Sequence, residues 1–103
     1  MNKYIERLAW GTDAGFYRLI PQEVLHPATE QDIIKIIARA RKEKKHITFR
    51  AAGTSLSGQA ISDSLLVVCG KKWEQYTIHK EGESITLQPG IVGQRVNEIL
   101  KPY

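Results

Sequence analysis

The chain has 103 residues, 42% hydrophobic and 25% charged, with 8 glycines and 4 prolines, which describes one ordinary folded domain with a modest core. That composition excludes a disordered or fibrous chain, and the single cysteine, Cys69, excludes an internal disulfide or a cysteine-rich metal site. A formal charge of +4 suits any anionic partner without selecting one.

No N-terminal stretch has the layout of a signal peptide, and no run approaches the ~20 apolar residues of a membrane span, so a cytoplasmic protein is expected. In chain order, residues 1–25 mix aromatic and polar positions without a period and are interrupted by Pro21, with Pro27 close behind. They read as an irregular arm with a short helix at Lys3–Leu8 and a short strand at Val24–His26. From Thr29 the pattern changes. Thr29 offers an N-cap with Asp32 three residues on, a variant of the capping box, and Ile33, Ile36, Ile37 and Ala40 share one helical face. A helix from Glu30 to about Lys44 follows, and Arg39, Arg41, Lys42, Lys44 and Lys45 place cations at the negative end of its dipole. This basic run reads as a solvated helix end in preference to a nucleic-acid patch, because neither Trp10, Trp73 nor the tyrosines interleave with it.

His46–Phe49 reads as a strand, and the continuous apolar run Ser64–Cys69 as a second strand buried on both faces, with Cys69 a buried thiol. Tyr76–His79 and Ser84–Gln88 alternate around Lys80, Glu81, Gly82 and Glu83 as an antiparallel hairpin. Pro89 and Gly90 end it, and Val92, Val96, Ile99 and Leu100 recur at helical spacing up to Pro102. The expected fold class is therefore α+β with α/β character: one small mixed sheet with flanking helices. Trp10 and Trp73 are expected in core packing.

The stretch RAAGTSLSGQA, Arg50–Ala60, is the most informative segment. It follows a strand and has only Leu56 and Gln59 as bulky residues, so its backbone can approach a ligand and aim several N–H groups at an anion. It is not a P-loop, since Gly53 and Gly58 lead into Gln59 and Ala60 where lysine and a hydroxyl residue are required, and it is not the dinucleotide G-x-G-x-x-G. From spacing alone, an anion cradle and a tight strand-to-strand connection fit equally well. His26, His46 and His79 lack metal-ligand spacing and read as surface or strand residues, and Glu81 and Glu83 as solvated turn residues.

RAAGTSLSGQA resembles the pyrophosphate-binding loop of the FAD-linked oxidases related to p-cresol methylhydroxylase and vanillyl-alcohol oxidase, particularly the branch of D-lactate, glycolate and 2-hydroxyglutarate dehydrogenases. Three further stretches are similar to that branch in order and spacing: TDAGFYRLIPQEVLHPATEQDIIKII, LLVVCGKKWEQYTI and ITLQPGIVGQRVNEIL. The resemblance implies the first subdomain of a PCMH-type FAD-binding domain. It implies that Ala51, Ala52, Gly53, Thr54 and Ser55 wrap the phosphates with their backbone, Thr54 and Ser55 adding hydroxyl donors. Gly58, Gln59 and Ala60 are implied to line the cofactor further along, and Pro89 and Gly90 to form a turn beside it. Members that bond FAD covalently through this loop carry a histidine where this chain has Thr54, so noncovalent FAD is expected. Gln59 stands where many relatives have glycine, and DAGFY departs from Asp-Ala-Ser-x-Tyr, leaving Asp13 without an assigned role.

The same resemblance implies that residues 1–103 are a partial FAD-binding domain, an N-terminal fragment or truncated reading frame of a flavin-dependent oxidoreductase acting on a 2-hydroxy acid such as lactate or glycolate. Catalytic and metal residues are expected beyond Tyr103, and the fragment alone is expected to be inactive. The alternative is a cofactor-free interaction module that keeps only the scaffold and self-associates through uncovered apolar surface. Nucleic acid is not an expected partner.

Overall fold

A computed structural model describes residues 2–103. Its elements run α1 (Tyr4–Ala9), β1 (Glu23–Leu25), α2 (Glu30–Glu43), β2 (Ile47–Arg50), β3 (Leu65–Val68), β4 (Tyr76–His79), β5 (Ser84–Leu87) and α3 (Gly93–Leu100). Every expected element is present within a residue or two of its expected ends.

The centre is a three-stranded parallel sheet in the order β1-β3-β2, with Glu23 and Ile47 both in register with Leu65. β3 is flanked on both edges and covered on both faces, which explains why it is a continuous apolar run without alternation. Leu65, Leu66 and Val67 are fully buried. Period-two geometry then splits the core. Val24, Leu66 and Val68 pack on one face with Trp10, whereas Val67, Cys69 and Trp73 pack on the other with Leu25, Ile33, Ile36 and Ile47. Burial pushes the Cys69 thiol above its ordinary value, and the Trp73 indole donates to the Pro27 carbonyl at 2.8 Å.

α2 starts as its sequence prescribes. Thr29 Oγ1 accepts from the Asp32 amide, and the Asp32 carboxylate accepts from the amides of Ala28 and Thr29, which holds that carboxyl below its usual range. The helix ends at Lys44 in the left-handed conformation, where the Lys45 amide reaches the Ala40 carbonyl at 2.9 Å. Ile37 departs from expectation: the core-facing stripe is half-buried Ile33 and Ile36 with buried Ala40, while Ile37 and Ile34 are exposed. The basic run is partly neutralised, since Arg39 pairs with Glu23 on β1 and with Glu43, and Lys45 reaches Glu43 at 3.3 Å.

The α+β class holds, but the expected single mixed sheet resolves into two sheets. β4 and β5 form a separate antiparallel pair, with Ile78 opposite Ile85. The reason is the segment between Cys69 and Gln75: Trp73 turns back into the core and carries the chain off the parallel sheet before β4 begins. The hairpin turn holds Lys80 and Glu81 at φ 49° and 55°, left-handed values uncommon for residues with a side chain. Glu81 and Glu83 are exposed there, as are His26, His46 and His79 at their own positions.

Candidate functional site

Parallel neighbours cannot be joined by a tight hairpin and need a crossover of about a dozen residues or more, usually helical. Between β2 and β3 that crossover is residues 51–64, and it contains no helix. It leaves the carboxyl end of β2, the edge of an open parallel sheet where ligands commonly bind. Among the described residues, none accepts a hydrogen bond from the backbone N–H groups of Ala51, Ala52, Gly53, Thr54, Ser55 or Leu56. Gly53 lies at φ 71°, a left-handed value that favours glycine, and a Cβ added there would displace the Arg50 guanidinium.

Pro89 and Gly90 come back to this loop. A cavity of about 380 Å³ is lined by Ala51, Ala52 and Thr54 on one side and by Pro89, Gly90, Ile91, Val92 and Gly93 on the other. The second wall is the start of α3, which has no side-chain cap, so its first N–H groups open beside the same space. Among the described residues, none of those lining this cavity is acidic. A neighbouring cavity of about 270 Å³ is bounded by Phe49, Arg50, Ala51, Cys69 and Pro89. Gly90 is wedged against the core: its amide donates to the Trp73 carbonyl at 2.8 Å, and an added Cβ would meet the carbonyl oxygens of Gly70 and Trp73.

The remaining expected site residues behave differently. The Ser55 hydroxyl donates to the Asp13 carboxylate at 2.8 Å, and the Gly58 amide donates to the same oxygen at 3.1 Å. The Ser55 hydroxyl proton is therefore committed to Asp13, and its carbonyl accepts from the Ala14 amide. Gln59 accepts from the Ser57 amide at 3.0 Å and is otherwise exposed, and Ala60 is buried. Gly58 borders a separate cavity with Tyr17, Arg18, Leu19, Ser57 and Ile61. The loop thus has a stretch of amides without partners, 51–56, of which Ala51, Ala52 and Thr54 border the cavity with Pro89 and Gly90, and a stretch, 57–60, held by Asp13, Gln59 and burial of Ala60.

Sequence reasoning missed the participation of Ile91, Val92 and Gly93. The signal was present in a Pro-Gly turn leading straight into an uncapped helix. It also missed Arg50, whose guanidinium donates to the Thr12 carbonyl at 2.7 Å and lies 5.0 Å from the centre of the Trp10 ring. Burial pulls Arg50 below the ordinary guanidinium value, with the nearby Asp13 charge acting in the opposite direction. Its Nε is buried without a partner among the described residues.

A family model described as an FAD binding domain matches residues 21–103. Among curated relatives, D-2-hydroxyglutarate dehydrogenase of Haemophilus influenzae is 31% identical over 106 residues, covering 99% of this chain and 10% of the relative. The enzymes of the same name from Escherichia coli and Pantoea ananatis are 28% and 30% identical with the same coverage. The chain thus spans only 10% of the length of these relatives. The loop, its Pro-Gly partner and the start of α3 all lie within the matched residues, and the chain belongs to the FAD binding domain family.

Proposed function

We propose that Ala51–Ser55, together with Pro89 and Gly90, hold the diphosphate of noncovalently bound FAD in a flavin-dependent oxidoreductase acting on a 2-hydroxy acid. The observation that carries this reading is a run of backbone N–H groups without partners, of which those of Ala51, Ala52 and Thr54 belong to residues bordering one cavity whose described lining holds no acid. A diphosphate needs several donors at close range and no competing carboxylate, and small residues at 51–53 let the backbone approach it. Thr54 adds an exposed hydroxyl next to the cavity. Because a threonine hydroxyl does not form the histidyl link that covalent members use, the bound flavin is taken as exchangeable.

The 2-hydroxy-acid class rests on the relatives' names, D-2-hydroxyglutarate dehydrogenase, and on the four motifs similar to that branch. When bound, FAD supplies a hydride acceptor. The described residues do the binding: the 51–55 amides orient the diphosphate, and Pro89 and Gly90 close the opposite wall. No catalytic role is assigned to them. Residues 1–103 are read as the first part of an FAD domain whose remainder, with the substrate domain, is further chain. Among the described residues no helix is long and apolar enough to cross a membrane.

The intact protein should purify yellow, and Gly53→Val should abolish flavin retention by forcing a branched side chain into the left-handed region and against Arg50. A colourless protein that cannot be reconstituted with FAD would overturn the reading. A second reading, a cofactor-free module that self-associates, is favoured by the exposure of Ile34, Ile37 and Phe49. Sedimentation of the isolated 1–103 segment as a compact monomer would dispose of it.

A further inference from the structure

The N-terminal arm, outside the residues matched by the family model, runs along residues 55–58 of the loop. The Ala14 amide donates to the Ser55 carbonyl at 3.0 Å, and Gly15 lies directly against the Leu56 carbonyl. Asp13 is the centre of this contact. One carboxylate oxygen accepts from the Gly15 amide at 2.8 Å, and the other from the Ser55 hydroxyl at 2.8 Å and the Gly58 amide at 3.1 Å. Arg50, at the opposite end of the loop, reaches back to the Thr12 carbonyl at 2.7 Å and stacks on Trp10. The arm therefore grips the loop at both ends, residue 50 and residues 55–58, and the four amides between them, 51–54, have no partner among the described residues.

We infer that Asp13 is a positioning residue for the cofactor loop: by fixing Ser55 and Gly58 from behind, it keeps the 51–54 amides turned toward the FAD diphosphate without touching FAD itself. The inference rests on the functional reading above. A carboxylate so near an anion site is electrostatically unfavourable unless its charge is used, and here it is used by three donors with the Arg50 guanidinium close by. The donor set also explains why the residue is an acid. Three N–H or O–H groups converge on two acceptor oxygens, and an asparagine would turn its NH2 group toward at least one of them. The Ser55 hydroxyl can rotate to accept, but the amides of Gly15 and Gly58 cannot. An isosteric exchange therefore breaks the grip.

The test uses FAD affinity of the flavin-stripped intact protein, read by flavin fluorescence, with amide exchange at Gly58 and thermal unfolding of the stripped protein alongside. Asp13→Asn should weaken FAD binding at least tenfold and speed Gly58 exchange at least tenfold, with a loss of folding stability in the stripped protein smaller than the loss of affinity. Ser55→Ala should weaken FAD a few-fold, and the double variant should bind no more weakly than Asp13→Asn alone. Multiplying losses would mean that Ser55 contacts FAD independently and would overturn the inference, as would wild-type affinity in Asp13→Asn. Equal loss of folding stability and of affinity would reduce Asp13 to a general structural contact and overturn it too. If Asp13→Asn does not fold, Ser55→Ala decides: unchanged FAD affinity and unchanged Gly58 exchange overturn the inference, and a joint change upholds it. A wild-type protein that binds no FAD would instead overturn the functional reading, and this inference with it.

Discussion

The parallel sheet and the hairpin-plus-helix unit differ sharply in how they are held. All four β3 residues are buried and both faces of its sheet are packed, whereas β4 and β5 contain no buried residue and neither does α3. The first unit carries its own core, while the second is fastened to it at few points, chief among them the seating of Gly90 against Gly70 and Trp73. The candidate cofactor cavity lies at the seam, one wall from each. A rigid unit thus supplies the loop's root, and a lightly held one supplies the opposing wall.

The largest effect should come from the rigid side. Leu66→Ala, at a fully buried site, should cost ~2–5 kcal/mol in denaturant unfolding followed by tryptophan fluorescence. Ile85→Ala, at a half-buried hairpin site, should cost roughly 1 kcal/mol. Equal costs would break the comparison. Gly90→Ala acts on the seam: forcing a methyl against two carbonyls should cost ~1–3 kcal/mol and weaken flavin retention, since the wall must move to relieve the clash. If flavin affinity survives Gly90→Ala intact, the opposing wall is not part of the site.

Smaller still is the cap of α2, where Thr29→Ala should cost about 1 kcal/mol and leave FAD affinity unchanged. At the low end, Arg39→Ala removes two ion pairs that are substantially exposed on the arginine side and should cost about 1 kcal/mol, falling further in high salt. Acid titration sharpens the contrast between scaffold and loop. The Gly15 amide, the Ser55 hydroxyl and the Gly58 amide hold the Asp13 carboxyl below its usual range, and Arg39 does the same for Glu23. Groups depressed in the folded state stabilise it above their unfolded value, about 4, and that contribution is lost as pH falls through the lower folded value. Gly58 exchange and FAD retention should therefore be indifferent to pH between neutrality and about 5, and deteriorate below about 4. Loss of the loop near neutrality would contradict the assignment of Asp13.

Much of the scaffold was legible because its signals are local. Thr29 and Asp32 are three residues apart, LLVV declares burial by itself, and Pro89-Gly90 marks the end of a strand wherever it occurs. What could not be read is what depends on distant pairs. Nothing in RAAGTSLSGQA says that Ser55 turns its hydroxyl to a carboxylate 42 positions earlier. Nor does LLVVCGKKW reveal that Trp73 leads the chain away from the parallel sheet and so separates the two sheets. The cavity between the loop and the Pro-Gly turn was reached through resemblance, and spacing alone left an anion cradle and a plain turn equally open. Ile37 failed for a subtler reason: its helical phase puts it at the margin of the apolar stripe, and the three-stranded sheet is too narrow to cover it.

Trp73 gives the seam a built-in gauge. Its ring is locked in the interior through Pro27, while its own carbonyl anchors Gly90 at the cavity wall. Any drift of that wall tugs on the backbone of a fluorophore whose ring is held still, so its emission should register the seating of the turn before the sheet itself loosens. The residue that shields the core is thereby also the one best placed to report on the cavity.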